Sequence, residues 1–328
     1  METIRIGICH YANALKSAVY GLEEMFVLAS RICREQQIPV KFEPVICREH
    51  DAISEPFAVI ILPPSVQQQD YLNPPPQLTD WLKAQYDQGT RLASACAGAF
   101  ILAATTVVGT RAMTTHWGLA EPFHQQFPQI ALNTNDILID HGDIITAGGL
   151  MSWLDLGLEL VTQYTSSSVM HQLGKVLVID TARREQRFYQ RFIPALLHGD
   201  QAIVTVQQWM NHDYATPLAI SDLAAQANLT ERTLQRRFHK ATGCNPNQYL
   251  QRLRIQKACE LLEGSQHPFE WIAHQVGYED PGACRKAFLK IMGLTPREFR
   301  ARFSREESPS HRPHGHPHRH PHRHPHRR

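Results

Sequence analysis

Residues 218–243 read LAISDLAAQANLTERTLQRRFHKATG, and this stretch decides the fold of the last third of the chain. Ser221 and Thr230 are each followed by an acidic residue, the pattern of a helix N-cap with a favourable charge in the first turn. Residues 227–229 (ANL) separate the two, which predicts two short helices joined by a tight turn. Leu234 and Phe238 are four positions apart, so they share one face of the second helix, and we expect both in the core.

The opposite face of that second helix is basic. At 100° per residue it presents Arg232, Arg236 and His239. A helix that enters the major groove of DNA needs such a face, because arginine can bond the O6 and N7 atoms of guanine at once. Arg237 and Lys240 lie on the flanks, where we expect contacts with phosphates. The pattern therefore predicts a DNA-recognition helix.

The same pattern recurs further along the chain. Residues 268–276 (PFEWIAHQV) and 280–291 (DPGACRKAFLKI) are expected to form a second helix pair around a turn at Gly277 and Tyr278. Residues 249–263 predict a helix that spaces the two pairs. The positive charge of the second recognition helix comes from Arg285, Lys286 and Lys290. A helical bundle with basic, solvated faces is the alternative, and two units at matched spacing favour tandem helix-turn-helix motifs.

From RTLQRRFHKATGCNPNQYLQRLRIQKACELL through IAHQVGYEDPGACRKAF to GLTPREFR, about 100 residues resemble the AraC/XylS-type DNA-binding domain. The resemblance implies that Arg232, Arg236, Gly282 and Lys286 stand at base-facing positions. Gly282 has no side chain with which to read a base, and Cys284 replaces a larger apolar residue. We therefore expect the second unit to contribute more to positioning than to sequence readout.

The first half of the chain alternates short apolar strands with amphipathic helices. Strands are predicted at 4–9, 40–46, 57–62, 91–94, 137–140 and 144–147, the last two as a hairpin, and helices at 15–34, 78–88, 97–106 and 153–165. The Pro- and Gln-rich residues 63–76 are interpreted as a loop. This order predicts an α/β fold, a flavodoxin-like parallel sheet sandwich followed by an all-α tandem helix-turn-helix domain.

The stretch SACAGAF (94–100) lies between a predicted strand and a predicted helix. Small residues on both sides of Cys96 permit a sharp turn that exposes the thiol, and the helix N-terminus is expected to lower the thiol pKa. Twenty residues later, TTHW (114–117) supplies His116, which could pair with a thiolate or bind a ligand. Without further evidence, a small buried cysteine is the more common interpretation.

The segments SACAGAFILAAT, MTTHW and DIITAGGLMSWLDLGLELV together resemble the PfpI/ThiJ-type class I glutamine-amidotransferase-like fold. Joined to the AraC-type domain, they resemble the GlxA group of regulators. In that fold the elbow cysteine of the enzymes is a nucleophile, and the resemblance places Cys96 at the elbow and His116 at the downstream histidine.

Two departures weaken an enzymatic interpretation. Ala97 stands where the protease-like branch has a histidine, and the early acidic partner has no clear match. Ser17 lies near its place, and Glu23 and Glu24 come later on the helix. The resemblance implies a domain that senses a small metabolite, such as an amino acid or a quaternary amine, and that forms homodimers. Its expected ligand contacts are Cys96, Ala97, His116 and Trp117, the last by cation–π attraction.

Composition limits the remaining possibilities. Residues 1–200 hold 20 acidic and 14 basic side chains, whereas residues 201–304 hold 9 and 13, so a polyanion is expected to meet the second part. The seven cysteines are dispersed, without a CxxC motif, which is typical of the reducing cytoplasm. The chain starts without a signal-peptide pattern and has no run of 18 apolar residues, so we expect no membrane span.

Residues 305–328 are rich in His, Arg and Pro, a composition that builds no core. The imidazoles of His314, His316, His318 and His320 could bind a metal, but a solvated tail is the simpler interpretation.

We therefore predict a ligand-sensing domain (1–182), a linker (183–200), a DNA-binding domain (201–304) and the tail (305–328). The predicted function is transcription regulation, with activator or repressor left open. The predicted partners are double-stranded DNA, a small-molecule effector and a second copy, with RNA polymerase as a candidate partner, and no cofactor is predicted. The alternatives are a Cys-dependent hydrolase or hydratase with an appended DNA-binding domain, and a redox or metal sensor.

Overall fold

The computed structural model describes residues 1–48, 51 and 53–304, and the side chains of 68 and 69 are not described. Within this range the chain divides into two compact units: the first comprises residues 1–199 with 241–243 and 286–294, and the second comprises the rest from Asp200 to Ser304. The predicted tail, with its four candidate metal-binding histidines, lies outside the described residues. The predicted boundaries at 182 and 200 stay predictions, although residues 183–199 group with the first unit.

The first unit is built on a six-stranded sheet in the order β2-β1-β3-β4-β6-β5. Its strands are β1 (Glu2–His10), β2 (Val40–Arg48), β3 (Val59–Leu62), β4 (Arg91–Ala95), β5 (Leu138–Asp140) and β6 (Ile144–Ala147). All neighbours pair in parallel except β5, which is antiparallel to β6 as the predicted hairpin requires. The central strand β3 is buried along its whole length, as expected for a parallel strand covered on both faces.

Helices cover the sheet in two groups. The helices of the first unit are α1 (Lys16–Glu35), α2 (Gln68–Leu72), α3 (Pro76–Asp87), α4 (Gly98–Ala104), α5 (Ala120–Gln126), α6 (Ser152–Tyr164) and α7 (Ser167–Leu177). Helices α1, α6 and α7 pack together, and α2 and α3 pack on α4. Because β1, β3, β4 and β6 run in parallel, their carboxyl ends share one edge of the sheet, where open α/β sheets bind ligands.

One segment differs from the sequence interpretation, and a second is described in more detail. Residues 63–76, expected to be a loop, contain the short helix α2, whose Tyr71 is buried on the ring of Phe100 at 5.0 Å between ring centroids. Residues 183–199 have no core pattern and are predicted to be a linker that docks on a neighbouring part of the chain; they contain a 3₁₀ turn, Gln186–Tyr189, and the side chains of Gln186 and Phe188 are buried. In both cases burial in tertiary contacts fixes a segment whose local sequence lacks a regular period.

The region 200–304, which makes up the described second unit apart from residues 241–243 and 286–294, is built of helices. It comprises α8 (Gln201–Asp213), α9 (Ile220–Gln226), α10 (Glu231–Thr242), α11 (Pro246–Gly264), α12 (Phe269–Gln275), α13 (Pro281–Met292) and α14 (Pro296–Phe303). The turn between α9 and α10 has Asn228 in the left-handed region (φ 55°), and the turn between α12 and α13 uses Gly277 (φ 96°). Both turns lie where the sequence predicted them.

The predicted caps are half right. The Thr233 amide donates to the hydroxyl of Thr230, so Thr230 caps α10 as expected. The prediction for Ser221 is wrong, because α9 starts at Ile220 and its N-cap is Ala219, two residues before Ser221 and without a side-chain oxygen. Helices α11 and α14 each begin with a capping box, Asn245 with Gln248 and Thr295 with Glu298, followed by proline at the first helical position.

None of the helices in the described part of the chain is both long and apolar enough to cross a bilayer.

Candidate nucleic-acid interface and candidate ligand site

Helix α10 has the two faces that its sequence predicted. Leu234 and Phe238 are fully buried, and the Phe238 ring meets the Tyr249 ring of α11 edge to face at 5.2 Å. Arg232, Arg236 and His239 are exposed. The buried pair therefore anchors the helix and leaves two guanidinium groups and an imidazole free to face a nucleic acid.

The two flanking cations of α10 differ in their surroundings. Lys240 is exposed. Arg237 is half-buried, and its Nε and Nη2 atoms donate to the Asp200 carboxylate at 2.9 and 2.6 Å. This hydrogen-bonded ion pair raises the pKa of Arg237. The ion pair gives Arg237 a role in the fold of the domain, and the phosphate contacts of Arg237 and Lys240 stay predictions.

Helix α13 presents the second set of predicted residues. Cys284 and Phe288 are fully buried, and Arg285, Lys286 and Lys290 are exposed. Asp280 caps the helix by accepting hydrogen bonds from the amides of Gly282 and Ala283.

Arg285 also donates to Glu270 of α12 at 3.1 Å and lies over the Phe269 ring. Two features thus favour a positioning role for the second helix-turn-helix motif: the Asp280 carboxylate lies beside Gly282, and Arg285 is paired with Glu270.

The first unit forms the predicted elbow at Cys96. This residue follows β4, precedes α4 and has a left-handed backbone (φ 53°), a strained conformation for a residue with a side chain. Its amide donates to Ala147 at 2.8 Å, and its carbonyl accepts from the hydroxyl of Thr115 at 2.7 Å. Those two hydrogen bonds hold the sharp strand-to-helix turn in place.

The two expectations for the thiol itself are wrong. Cys96 is 3% exposed. Burial raises its pKa to about 12, and hydrogen bonds from the backbone amides of Ala97 and His116 lower the pKa only in part. Among the described residues no carboxylate shifts this pKa, and Ser17, Glu23 and Glu24 have no part in it. The desolvation of a buried thiolate outweighs the helix N-terminus, so the thiol is protonated at neutral pH.

His116 lies beside the elbow without the geometry of a general base. Its Nδ1 accepts a hydrogen bond from the Gly118 amide at 2.9 Å, and its ring stacks on Trp117 with centroids 5.3 Å apart. Burial lowers its pKa. A neutral imidazole with a hydrogen on Nε2 satisfies these contacts. Both rings are half-buried, and Ala97 is fully buried.

Two tyrosines that the sequence did not single out lie near Cys96. Tyr11, at the end of β1, donates from its hydroxyl to the carbonyl of Pro63, and Tyr71 comes from α2. Burial raises the pKa of both, and the charge of a Cys96 thiolate would raise each further. Only their position after a strand could have indicated them, because neither belongs to a motif.

A cavity of about 420 Å³ opens elsewhere in the first unit, beside the edge strand β5. Asp155, Met170 and Arg184 are among its lining residues, whereas Cys96, Ala97, His116 and Trp117 are not. Arg184 donates to Asp155 at 3.0 and 2.6 Å across it. The predicted contacts at the elbow therefore stay predictions, and this cavity is a second candidate location for a ligand.

The raised pKa predicts slow chemistry at Cys96. At pH 8 an ordinary thiol near pKa 8.5 is partly ionised, so we expect iodoacetamide to modify Cys96 in the native chain about 1,000-fold more slowly than in the urea-unfolded chain. Mass spectrometry of the Cys96 peptide measures both rates, with Cys96→Ala as the control for assignment. Equal rates would contradict the protonated thiol.

The raised pKa of Cys96 also predicts how the stability of the first unit depends on pH. Because the native thiol keeps its proton up to about pH 12, the unfolded chain releases that proton first. The free energy of unfolding should therefore fall as pH rises above about 8.5.

Both parts of the chain are similar to known protein families. Residues 223–302 match the helix-turn-helix domain family, and residues 35–163 match the DJ-1/PfpI family. The chain is 24% identical to the HTH-type transcriptional regulator GbdR of Pseudomonas aeruginosa over 67% of this chain and 60% of GbdR, so the match spans less than two thirds of that relative. It is 26% identical to the HTH-type transcriptional regulator GlxA of Rhizobium meliloti over 65% of this chain and 66% of GlxA.

Among solved structures, Drosophila melanogaster DJ-1beta aligns with 55% of this chain and 100% of its own length, at 16% identity and a TM-score of 0.42. The family matches and the sheet order confirm the predicted fold class and both resemblances.

Proposed function

We propose that the chain is a transcription regulator, because residues 35–163 match the DJ-1/PfpI family and residues 223–302 match the helix-turn-helix domain family. Its helical domain binds specific DNA sequences, and its first domain binds a small metabolite. The observation that carries the proposal is the exposed basic face of α10, which stands opposite the buried pair Leu234 and Phe238. A helix held in this way can enter the major groove with Arg232 and Arg236 towards the bases.

The first domain acts as a sensor in this proposal and performs no reaction. The protonated thiol of Cys96 and the Nδ1 contact of His116 support this role, because a cysteine nucleophile needs a thiolate or an adjacent base. We propose that the effector binds at the carboxyl ends of the strands, beside Cys96, Ala97, His116 and Trp117. A homodimer and RNA polymerase are the further partners that we propose.

The DNA-binding part is tested with the full chain and a random-sequence duplex library. Repeated selection should enrich one sequence family, and the enriched duplex should bind at least 1,000-fold more tightly than a scrambled duplex at the same salt concentration. Binding that depends only on salt, with no enriched sequence, would contradict a sequence-specific regulator.

The sensing part is tested by thermal shift against a panel of amino acids and betaines, with mass spectrometry of each mixture. A compound that raises Tm and stays chemically unchanged supports a sensor. A compound that wild-type protein consumes and Cys96→Ala does not would instead support the cysteine-dependent enzyme. Loss of the shift in His116→Ala, with the shift retained in Met170→Ala, places the compound at the elbow, and the reverse result places it in the cavity beside β5.

A further inference from the structure

The buried side chain of Gln186 attaches its segment to residues 114–117 and 136 by hydrogen bonds. It belongs to the segment that leads from the first domain towards Asp200, yet it is only 1% exposed. Its Nε2 donates its two hydrogens to the carbonyls of Thr115 and Asp136 at 2.9 Å and also lies 2.8 Å from the Thr114 hydroxyl. Its Oε1 accepts from the Trp117 amide at 3.0 Å. A buried side chain with all its polar groups bonded holds its segment in one position.

The first domain leaves room for this side chain at one glycine. A Cβ atom built on Gly148, directly after β6, would lie 1.7 Å from Gln186 Nε2 and 2.7 Å from the Thr115 carbonyl. Any larger residue at position 148 would therefore displace Gln186. The pocket for the amide is thus formed by the backbone of the β6 end on one side and by residues 114–117 on the other.

The same contacts connect Gln186 with the elbow. Thr115, whose carbonyl accepts from Gln186, donates its hydroxyl to the carbonyl of Cys96 at 2.7 Å. Trp117, whose amide donates to Gln186, stacks on His116. The candidate ligand residues and the start of the connecting segment therefore share one set of hydrogen bonds: Gln186 bonds Trp117 directly, and Thr115 links Gln186 to Cys96.

We propose that Gln186 is the positioning residue that couples the elbow of the first domain to the segment leading into the DNA-binding domain. This inference rests on the proposed function. A ligand at the elbow that shifts residues 114–117 changes the contacts of Gln186, and release or retention of Gln186 sets the path of residues 187–199. By reciprocity, DNA binding changes the same contacts from the other end.

Only an amide satisfies this site. A carboxylate at position 186 would place an acceptor against the carbonyls of Thr115 and Asp136, so Gln186→Glu should expel the side chain. Gln186→Ala removes the contacts without adding charge, which keeps the test available if the glutamate variant folds poorly. Gln190→Glu is the matched control, because Gln190 lies four residues later and donates to the carbonyl of Thr134 in a surface loop.

The test uses the full chain with and without the duplex that wild-type protein selects. Hydrogen exchange at the Trp117 amide reports the Gln186 contact, and iodoacetamide modification of Cys96 reports the elbow. In wild type and Gln190→Glu we expect DNA to change both rates at least threefold. In Gln186→Ala and Gln186→Glu we expect DNA still to bind and both rates to be independent of it.

The outcomes separate the two proposals. A DNA-dependent change that persists in both Gln186 variants would overturn the coupling, as would a wild-type chain that binds its duplex without any change at Trp117 or Cys96. In those cases the regulator function still stands. Failure of the wild-type chain to select any duplex would overturn the proposed function, and the coupling with it.

Discussion

Replacing Arg232 or Arg236 with alanine is expected to weaken binding of the selected duplex about 10- to 100-fold for each substitution. Both side chains are exposed on the face of α10 opposite Leu234 and Phe238, where they can reach base edges. Loss of one bidentate arginine–guanine contact costs about 1–3 kcal/mol, and the variant should tolerate other bases at the position it no longer reads.

The matched control is Arg297→Ala, which removes an exposed arginine from α14, outside both recognition helices. Titration by fluorescence anisotropy at one salt concentration measures all three variants. If Arg232→Ala, Arg236→Ala and Arg297→Ala bind alike, α10 does not read DNA, and the proposed recognition helix is incorrect.

The second large effect concerns the core under that helix. Phe238→Ala should lower the free energy of unfolding of the helical domain by about 3–5 kcal/mol, because it removes a fully buried ring and its edge-to-face contact with Tyr249. Since this cost is comparable with the whole stability of many domains, specific DNA binding should be lost as well.

The neighbouring residue provides the control for this core prediction. His239 is exposed, so His239→Ala should leave the thermal transition of the helical domain unchanged while it affects DNA binding only. Differential scanning calorimetry of the full chain separates the two variants. A Phe238→Ala chain that melts like wild type would show that α10 is held by contacts other than this ring.

Local periodicity explains why α10 could be predicted in detail. The spacing of Leu234 and Phe238 fixes which face is buried, and the cap at Thr230 fixes where the helix begins; both depend on neighbours within one or two turns. The strands of the first unit were predictable for the same reason, because short β-branched runs are sufficient to mark buried strands.

The chemistry of Cys96 shows where that reasoning stops. Small neighbours predicted the elbow, and the backbone of Cys96 has the left-handed conformation that an elbow needs. The state of the thiol depends on how deeply tertiary packing buries it. Tyr11, directly after β1, and Tyr71 from α2 lie near it, and α2 falls in residues interpreted as a loop. Sequence spacing does not reveal such distant contacts.

Gln186 is a second example of the same limit. Its segment is charged and aromatic, with no helical or strand period, so the sequence indicated a linker. The acceptors for its amide come from residues 114–136, some fifty or more positions earlier. Only the folded chain brings a glutamine of ordinary appearance to the backbone of that distant segment.

The capping boxes of α11 and α14 show that structural features of the helical domain occur twice along the chain. Thr295 stands fifty positions after Asn245, as Phe288 does after Phe238 and Gly293 after Gly243. The two halves of the helical domain therefore share scaffold residues at a spacing of fifty positions, whereas the exposed residues of α10 and α13 differ. The same substitution can therefore be made at both members of a pair, for example at Phe238 and at Phe288. The difference between the two losses of DNA affinity measures how unequally the two helix-turn-helix units contribute to DNA binding.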